Sequence, residues 1–145
     1  MPIVEFSERD LLRGKPIEPA WYRVFIEQVD AEGTLSKDQK STNYEMEGTV
    51  KFNGDSGDTT YANYPITWNF NSKAMGFSRG LFEALGVQVQ AKERYRLEAA
   101  AGREVDIFIE NDTYQGRIVN KVNHKYRAPN PAVVAQPKAG EAPTT

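Results

Sequence analysis

Residues 43–52 read NYEMEGTVKF, and this stretch decides the fold. Its apolar members fall on every second position, which is the period of a strand with one buried and one solvated face. The same period returns in Tyr61–Phe70, where Tyr64, Ile66, Trp68 and Phe70 share one parity. Turn-forming residues separate the two stretches, from Asn53 to Asp58. The sequence therefore predicts a β-hairpin.

The patterned segments on either side of this hairpin extend the prediction to a whole domain. The predicted elements are strands Trp21–Asp30, Asn43–Phe52 and Tyr61–Phe70, a helix at about Lys73–Leu85, and strands Arg103–Glu110 and Tyr114–Tyr126. A mainly β, five-stranded barrel with one helix between strands three and four has the connectivity of the OB fold. We predict that fold class, with Trp21, Phe52, Trp68 and Phe70 in the core.

Local signals refine the boundaries of these elements. Asn71 or Ser72 can cap the helix, and Gly86 can end it in a left-handed conformation. Gly76 and Gly80 weaken the helix, and we interpret them as points of close approach to the sheet. Asn111-Asp112-Thr113 is the predicted turn between the last two strands. The adjacent apolar pair Ile118-Val119 indicates a bulge, or burial on both faces.

Composition divides the 145 residues into three regions. We predict an N-terminal leader at 1–18, with one short helical turn after Ser7, an OB-fold domain at 19–127 and a disordered Pro/Ala-rich tail at 128–145. With 39% hydrophobic and 26% charged residues and no long apolar run, the chain is expected to be globular and not membrane-spanning. The absence of cysteine fits a reducing cytoplasm, and the formal charge of −2 argues against coating duplex DNA by bulk electrostatics.

Catalytic chemistry is poorly supported by the residues present. The one histidine, His124, lies in a strand-like stretch, and Asp55 and Asp58 lack the other ligands of a calcium loop. Asp106 and Glu110 would stand roughly 13 Å apart along a strand, too far to act as a pair on one bond. We predict no enzymatic activity, no catalytic residue, no metal site and no cofactor.

The residues suited to binding single-stranded nucleic acid form a more consistent pattern than any catalytic set. Binding requires cations that track phosphates and flat rings on which bases stack. From Tyr114 to Arg127 there are four cations and no acidic residue, and strand two is expected to point Thr49 and Lys51 outward. The predicted nucleic-acid-binding residues are Lys37, Lys40, Lys51, Tyr61, Tyr114, Arg117 and Lys121. They fall on elements that adjoin in an OB fold.

Four stretches carry a resemblance to a known family: 37–44, 70–77, 102–107 and 114–122, which read KDQKSTNY, FNSKAMGF, GREVDI and YQGRIVNKV. Over roughly residues 18–127 the chain resembles the small phage-encoded single-stranded-DNA-binding proteins. The resemblance implies an OB-type barrel that coats single-stranded DNA during replication or recombination in the cytoplasm of an infected bacterium. Replication or recombination proteins would be further partners, and a homo-oligomer stays open. Recruitment through an acidic tail is not expected, because only Lys138 and Glu141 are charged after Arg127.

A structural or protein-interaction β-domain, such as a virion component, is the alternative prediction. The acidic pI of about 5.5 permits it. Salt-dependent binding to oligo-dT would separate the two functions.

Overall fold

Six antiparallel strands and one short helix form the described part of the protein. A computed structural model describes residues 3, 16–30, 32–90 and 95–136. The strands are β1 (Ala20–Val29), β2 (Thr34–Leu35), β3 (Thr42–Asn53), β4 (Pro65–Asn71), β5 (Glu104–Tyr114) and β6 (Arg117–Arg127). A 3₁₀ helix, Ser72–Phe77, leads into helix α1 (Ser78–Ala84), and a second 3₁₀ helix covers Leu97–Ala100. None of the helices in the described ranges is long and apolar enough to cross a bilayer.

The strands form one open sheet with β1 at its centre. Their order is β2-β3-β1-β5-β6, and β4 pairs with the other part of β3. The mainly β class is therefore confirmed, as is the single α-helix between the third and fourth long strands. The predicted barrel is not confirmed, because β4 and β6 share no backbone pairing among the described residues.

Side chains, and not a backbone ladder, bridge the gap between β4 and β6. Asn120 on β6 donates a hydrogen bond to the Tyr64 hydroxyl and accepts one from the Ile17 backbone N–H at 2.9 Å. Further along, the Phe70 ring lies 4.8 Å from the His124 ring and 6.3 Å from the Tyr126 ring, measured between centroids. We call this gap the seam.

The inward parity of the strands forms the core. Trp68 and Phe70 are buried, as predicted. Trp21 and Phe52 are only half-buried, so their assignment to the core was wrong. Phe52 pairs with Arg23 while Val50 pairs with Val24, and this register shift makes Lys51 an extra residue and turns Phe52 to the outer face.

Two of the predicted boundaries move. The third long strand begins at Pro65, so Tyr61 lies in the connection from β3 and not in a strand. The turn between β5 and β6 is Gln115-Gly116, with φ values of 50° and 76°, as a two-residue hairpin turn requires. Asn111, Asp112 and Thr113 therefore belong to β5, and the turn predicted there was wrong.

The pair Ile118-Val119 is neither bulged nor buried. Ile118 is 57% exposed and Val119 36% exposed, because the β5–β6 hairpin projects beyond the rest of the sheet. The extra residues of β6 lie further on, where Val122–Tyr126 faces Ile109–Ile107 of β5 and His124 adopts φ +55°. Between these two pairs, three residues of β6 lie opposite one residue of β5, and the excess of two preserves the alternation of β6 through the irregularity.

The helical segment has the predicted ends but a different interior. Asn71 accepts a hydrogen bond from the Lys73 backbone N–H at 2.9 Å, and Gly86 has φ +88°. A methyl group added at Gly76 would meet no atom within 4 Å, and one at Gly80 would make an ordinary 3.6 Å contact with Tyr126. The interpretation of these glycines as points of close approach was therefore wrong.

The segment after β6 was predicted to be disordered, and its described part is held against the sheet. Residues 128–136 contain no helix or strand. The backbone carbonyl of Asn130 accepts a hydrogen bond from Arg23 Nη2 at 3.1 Å. Gln136 donates its N–H to the Gly57 carbonyl at 2.7 Å and accepts from the Thr59 hydroxyl at 2.6 Å. Residues 137–145 and the helical turn expected after Ser7 lie outside the described residues.

A buried ion network ties the outer face of the sheet together. Asp106 is fully buried, although its parity predicted a solvated position. Arg23 Nε donates to its Oδ1 at 2.6 Å, and Arg127 Nε donates to its Oδ2 at 3.0 Å. Arg127 also reaches Asp55 at 2.6 Å. Thr49, expected to point into solvent, is buried as well, and its hydroxyl donates to Glu27.

Asp106→Asn should lower the free energy of unfolding by about 3–5 kcal/mol, because it leaves two guanidinium groups without their shared buried carboxylate. Asp112→Asn, on the same strand with a side chain 54% exposed, should change it by less than about 0.5 kcal/mol. Urea denaturation of both variants measures the difference. Equal, small effects would show that the network does not hold the sheet.

Stability should fall as the pH drops from about 7 to 5, in part through His124. This ring lies between the Phe70 and Phe77 rings, and burial lowers its pKa below the ordinary 6.5. Between the folded and unfolded pKa the unfolded chain binds more protons, so acid favours unfolding. His124→Gln should flatten this part of the stability–pH curve, measured by urea midpoints. An unchanged slope would contradict the assignment.

Candidate nucleic-acid interface

The cations of β6 lie on the solvent face of the sheet. Strict alternation along the strand turns Val122 and Tyr126 toward the core and leaves the opposite parity outside. Four cations occupy this outer parity and are named here the cation row: Arg117, Lys121, Lys125 and Arg127. The preserved alternation at His124 is what keeps both halves of the row on one face.

Aromatic rings flank the cation row on β5 and β1. Tyr114 is 65% exposed at the tip of the hairpin and pairs directly with Arg117. Phe108 and Trp21 are cross-strand neighbours in an edge-to-face contact, with centroids 5.4 Å apart. Lys125 Nζ lies 5.4 Å from the Phe108 centroid, and Arg127 Cζ lies 4.5 Å from the Trp21 centroid. Rings and cations therefore share one surface, as stacking of bases and contact with phosphates require.

Carboxylates of β5 lie beside the same cations. Lys121 Nζ is 3.4 Å from Asp112 Oδ2, and Lys125 Nζ is 3.2 Å from Glu110 Oε1. These side chains are between 30% and 54% exposed. Exposed ion pairs contribute about 0–1 kcal/mol, so a phosphate can replace the carboxylate at either lysine with little loss.

Asp112 remains ionised under ordinary conditions. Its carboxylate accepts the Thr113 backbone N–H at 2.8 Å and lies beside Lys121, and these contacts hold the pKa of Asp112 below its usual range. The face therefore carries alternating positive and negative charge and is not a uniformly basic patch.

Arg127 serves the fold more than a ligand. Its guanidinium group bonds to both Asp106 and Asp55, and it covers the Trp21 ring. Three cations of the row are left with exposed side chains and exchangeable contacts: Arg117, Lys121 and Lys125. No ion pair is formed by Arg117 with any part of the chain that the structure describes.

The structure brings together three of the residues predicted from sequence. Tyr114, Arg117 and Lys121 lie on the same face of the β5–β6 hairpin. Lys37 and Lys40 are exposed in the connection from β1 to β3, which meets the opposite end of the sheet. Lys51 is exposed on the outer face of β3, with its Nζ 5.5 Å from the Phe25 centroid.

Tyr61 does not lie on an open outer face. It is half-buried in an edge-to-face contact with Tyr22, with ring centroids 6.0 Å apart, and packs against the core. It also lines a cavity of about 460 Å³ together with Glu18 and Asp58, whose carboxylates would repel phosphates. The parity argument failed because Tyr61 precedes the strand it was assigned to.

The nucleic-acid-binding residues predicted from the sequence did not include Trp21, Phe108 or Lys125. Phe108 lies between two buried isoleucines, and its parity alone identifies it as an outer ring. Trp21 was assigned to the core from its apolar character. Its parity relative to the buried Tyr22 and Val24 would have placed it outside.

His124 takes part in the aromatic packing of the β4–β6 seam. The His124 Nδ1 lies 3.0 Å from the Tyr126 hydroxyl, within the aromatic packing of the seam. In residues 16–30, 32–90 and 95–136, no three histidine or acidic side chains converge closely enough to hold a metal ion.

Truncating the two tyrosines should have opposite structural effects. Tyr61→Ala should cost more than about 1 kcal/mol of stability through lost packing on Tyr22, whereas Tyr114→Ala should stay within about 0.5 kcal/mol. Thermal or urea denaturation of the two variants tests this directly. A destabilised Tyr114 variant would mean that the ring holds the hairpin and is not a free platform.

No protein-family model and no curated protein matches this sequence.

Proposed function

We propose that this protein binds single-stranded DNA with little sequence preference, on the outer face of β5 and β6. The observation that carries the proposal is the cation row with the rings of Tyr114, Phe108 and Trp21 beside it. Non-specific single-strand binding needs these two elements together. Coating and protecting DNA during phage replication or recombination is the role that the family resemblance adds.

An OB-type barrel with an open seam is part of the proposal. β1 pairs with both β3 and β5, β4 pairs with β3, β6 pairs with β5, and α1 lies between β4 and β5. These pairings agree with a partly open five-stranded OB barrel. β2 is then a two-residue addition within the loop that joins the first two barrel strands.

The position of the binding face differs from the usual OB surface. OB folds commonly bind on the face of their second and third strands, here β3 and β4. That face carries Glu45 and Glu47 opposite Asn69 and Thr67, and the two carboxylates would repel phosphates. The β5–β6 hairpin supplies the cations instead, and Lys37, Lys40 and Lys51 would contact a strand only if it extended across the sheet.

A protein-interaction domain is the second candidate, and the seam favours it. A cavity of about 230 Å³ lies there, lined by apolar groups of Pro65, Ile66, Ile118 and Val119. Ile118 and Val119 are both exposed and extend the apolar lining of this cavity onto the surface, and contiguous exposed apolar groups mark protein-interaction sites. A structural β-domain of this kind would use the hairpin as a contact arm and would bind no nucleic acid.

Salt dependence of oligo-dT binding tests the proposal. Three exchangeable cations predict that log K falls with log salt at a slope of about −2, from about −0.7 per phosphate contact on single strands. Arg117→Ala and Lys121→Ala should each flatten the slope by about 0.7. Fluorescence titration at several salt concentrations measures these slopes.

The matched control is Arg79→Ala, since Arg79 is an exposed cation on α1, away from the sheet face. It should leave the slope unchanged. The paired Lys37→Ala and Lys40→Ala variants report whether the strand reaches the far loop. Absence of oligo-dT binding at low salt would refute the proposal and favour the interaction domain.

A further inference from the structure

The outer face of the β5–β6 hairpin holds carboxylates where a phosphate-binding surface would be expected to hold none. On β5 the outer parity holds three acids and two rings: Asp106, Phe108, Glu110, Asp112 and Tyr114. Asp106 is buried and belongs to the ion network. Glu110 and Asp112 remain, each beside one lysine of the cation row.

We propose that Glu110 and Asp112 determine selectivity for single-stranded over double-stranded DNA, an inference that rests on the proposed function. Both carboxylates occupy positions next to Lys121 and Lys125 that phosphate oxygens would otherwise take. They lower the attraction of the face for phosphates without removing its rings. The selectivity is therefore set by what the face repels as well as by what it attracts.

The two forms of DNA differ in how they meet this surface. A duplex buries the faces of its bases in the stack, so non-specific binding depends almost entirely on phosphate contacts. A single strand offers its bases to Tyr114 and Phe108, and stacking on a ring needs no net charge. A penalty on phosphate contacts therefore acts on everything that holds a duplex on this face, whereas a single strand keeps the part of its affinity that comes from stacking.

Flexibility increases this difference. A single strand can bend so that its phosphates reach Arg117, which has no acidic neighbour within ion-pair distance in the described chain. A duplex is stiff and carries two phosphate rows at fixed spacing, so it cannot avoid Glu110 and Asp112 while following the cation row. Both carboxylates are at least partly exposed and lie within reach of a bound backbone.

The test is the ratio of duplex to single-strand affinity in an Asp112→Asn, Glu110→Gln double variant. Oligo-dT and a duplex of equal length are titrated at one fixed salt concentration. Duplex affinity should rise by about tenfold, since each freed lysine gains up to about fivefold from a lost exposed pair. Oligo-dT affinity should rise by less than about threefold, because a flexible single strand places fewer of its phosphates beside Glu110 and Asp112 than the two fixed phosphate rows of a duplex do.

The matched control removes two charges elsewhere. Glu83→Gln with Glu98→Gln neutralises two exposed carboxylates, on α1 and on the second 3₁₀ helix. It changes net charge equally and should leave the ratio unchanged. A shift of the ratio in the control as large as in the test variant would overturn the inference, since bulk charge would then suffice.

The remaining outcomes are distinct. Suppose that the unmodified protein binds oligo-dT. If the two affinities then rise by the same factor in the double variant, or if neither affinity changes, the inference is wrong and the proposed function stands. If the unmodified protein binds no DNA, both fall. Should the double variant show a lowered unfolding midpoint, Asp112→Asn alone, with a side chain 54% exposed, must still shift the ratio by about threefold.

Discussion

The buried carboxylate of Asp106 is the constraint on which the sheet depends. It pairs with Arg23 of β1 and with Arg127 of β6, the strands on either side of β5. Arg23 also donates to the Asn130 carbonyl, and Arg127 also pairs with Asp55. Buried charges are tolerated only when they are fully paired. The register of β1, β5 and β6 and the paths of the segments that hold Asn130 and Asp55 are therefore coupled through the Asp106 side chain. The arginine faces also cover Trp21 and Phe52, which keeps both rings half-buried.

The seam shows a different way of completing a sheet. β4 and β6 do not exchange backbone hydrogen bonds, and their contact is made by Asn120 with Tyr64 and by the rings of Phe70 and His124. Side-chain closure leaves the hairpin beyond Asn120 without support from β4. Its tip is consequently exposed on both faces, which places Tyr114 and Arg117 in full contact with solvent.

The function proposed for this hairpin rests on compensation between opposite charges. A chain with a formal charge of −2 cannot attract nucleic acid through its overall field. A local row of cations beside rings can, provided that the ion pairs are exposed and exchangeable, as those of Lys121 and Lys125 are. Arg23, which is buried, and Arg127, which is half-buried, pair with Asp106 and stabilise the face, whereas the side chains of Lys121 and Lys125 are exposed. The arginines that hold the fold thus differ from the lysines of the proposed binding face by their lower exposure and by their shared contact with Asp106.

The sequence by itself determined the strands, the caps of the helical segment and the grouping of Tyr114, Arg117 and Lys121, since alternation and turn chemistry act between near neighbours. Tertiary structure alone decided which faces are covered. Asp106 and Thr49 had an outward parity but are buried by groups distant in sequence. Phe52 lies outside the core because of a one-residue register shift, and Tyr61 lies before the strand to which it was assigned. A period of two in the sequence shows which residues of a strand share one face. It does not show the register of the strand or which face other segments cover, because both depend on contacts between residues far apart in the sequence.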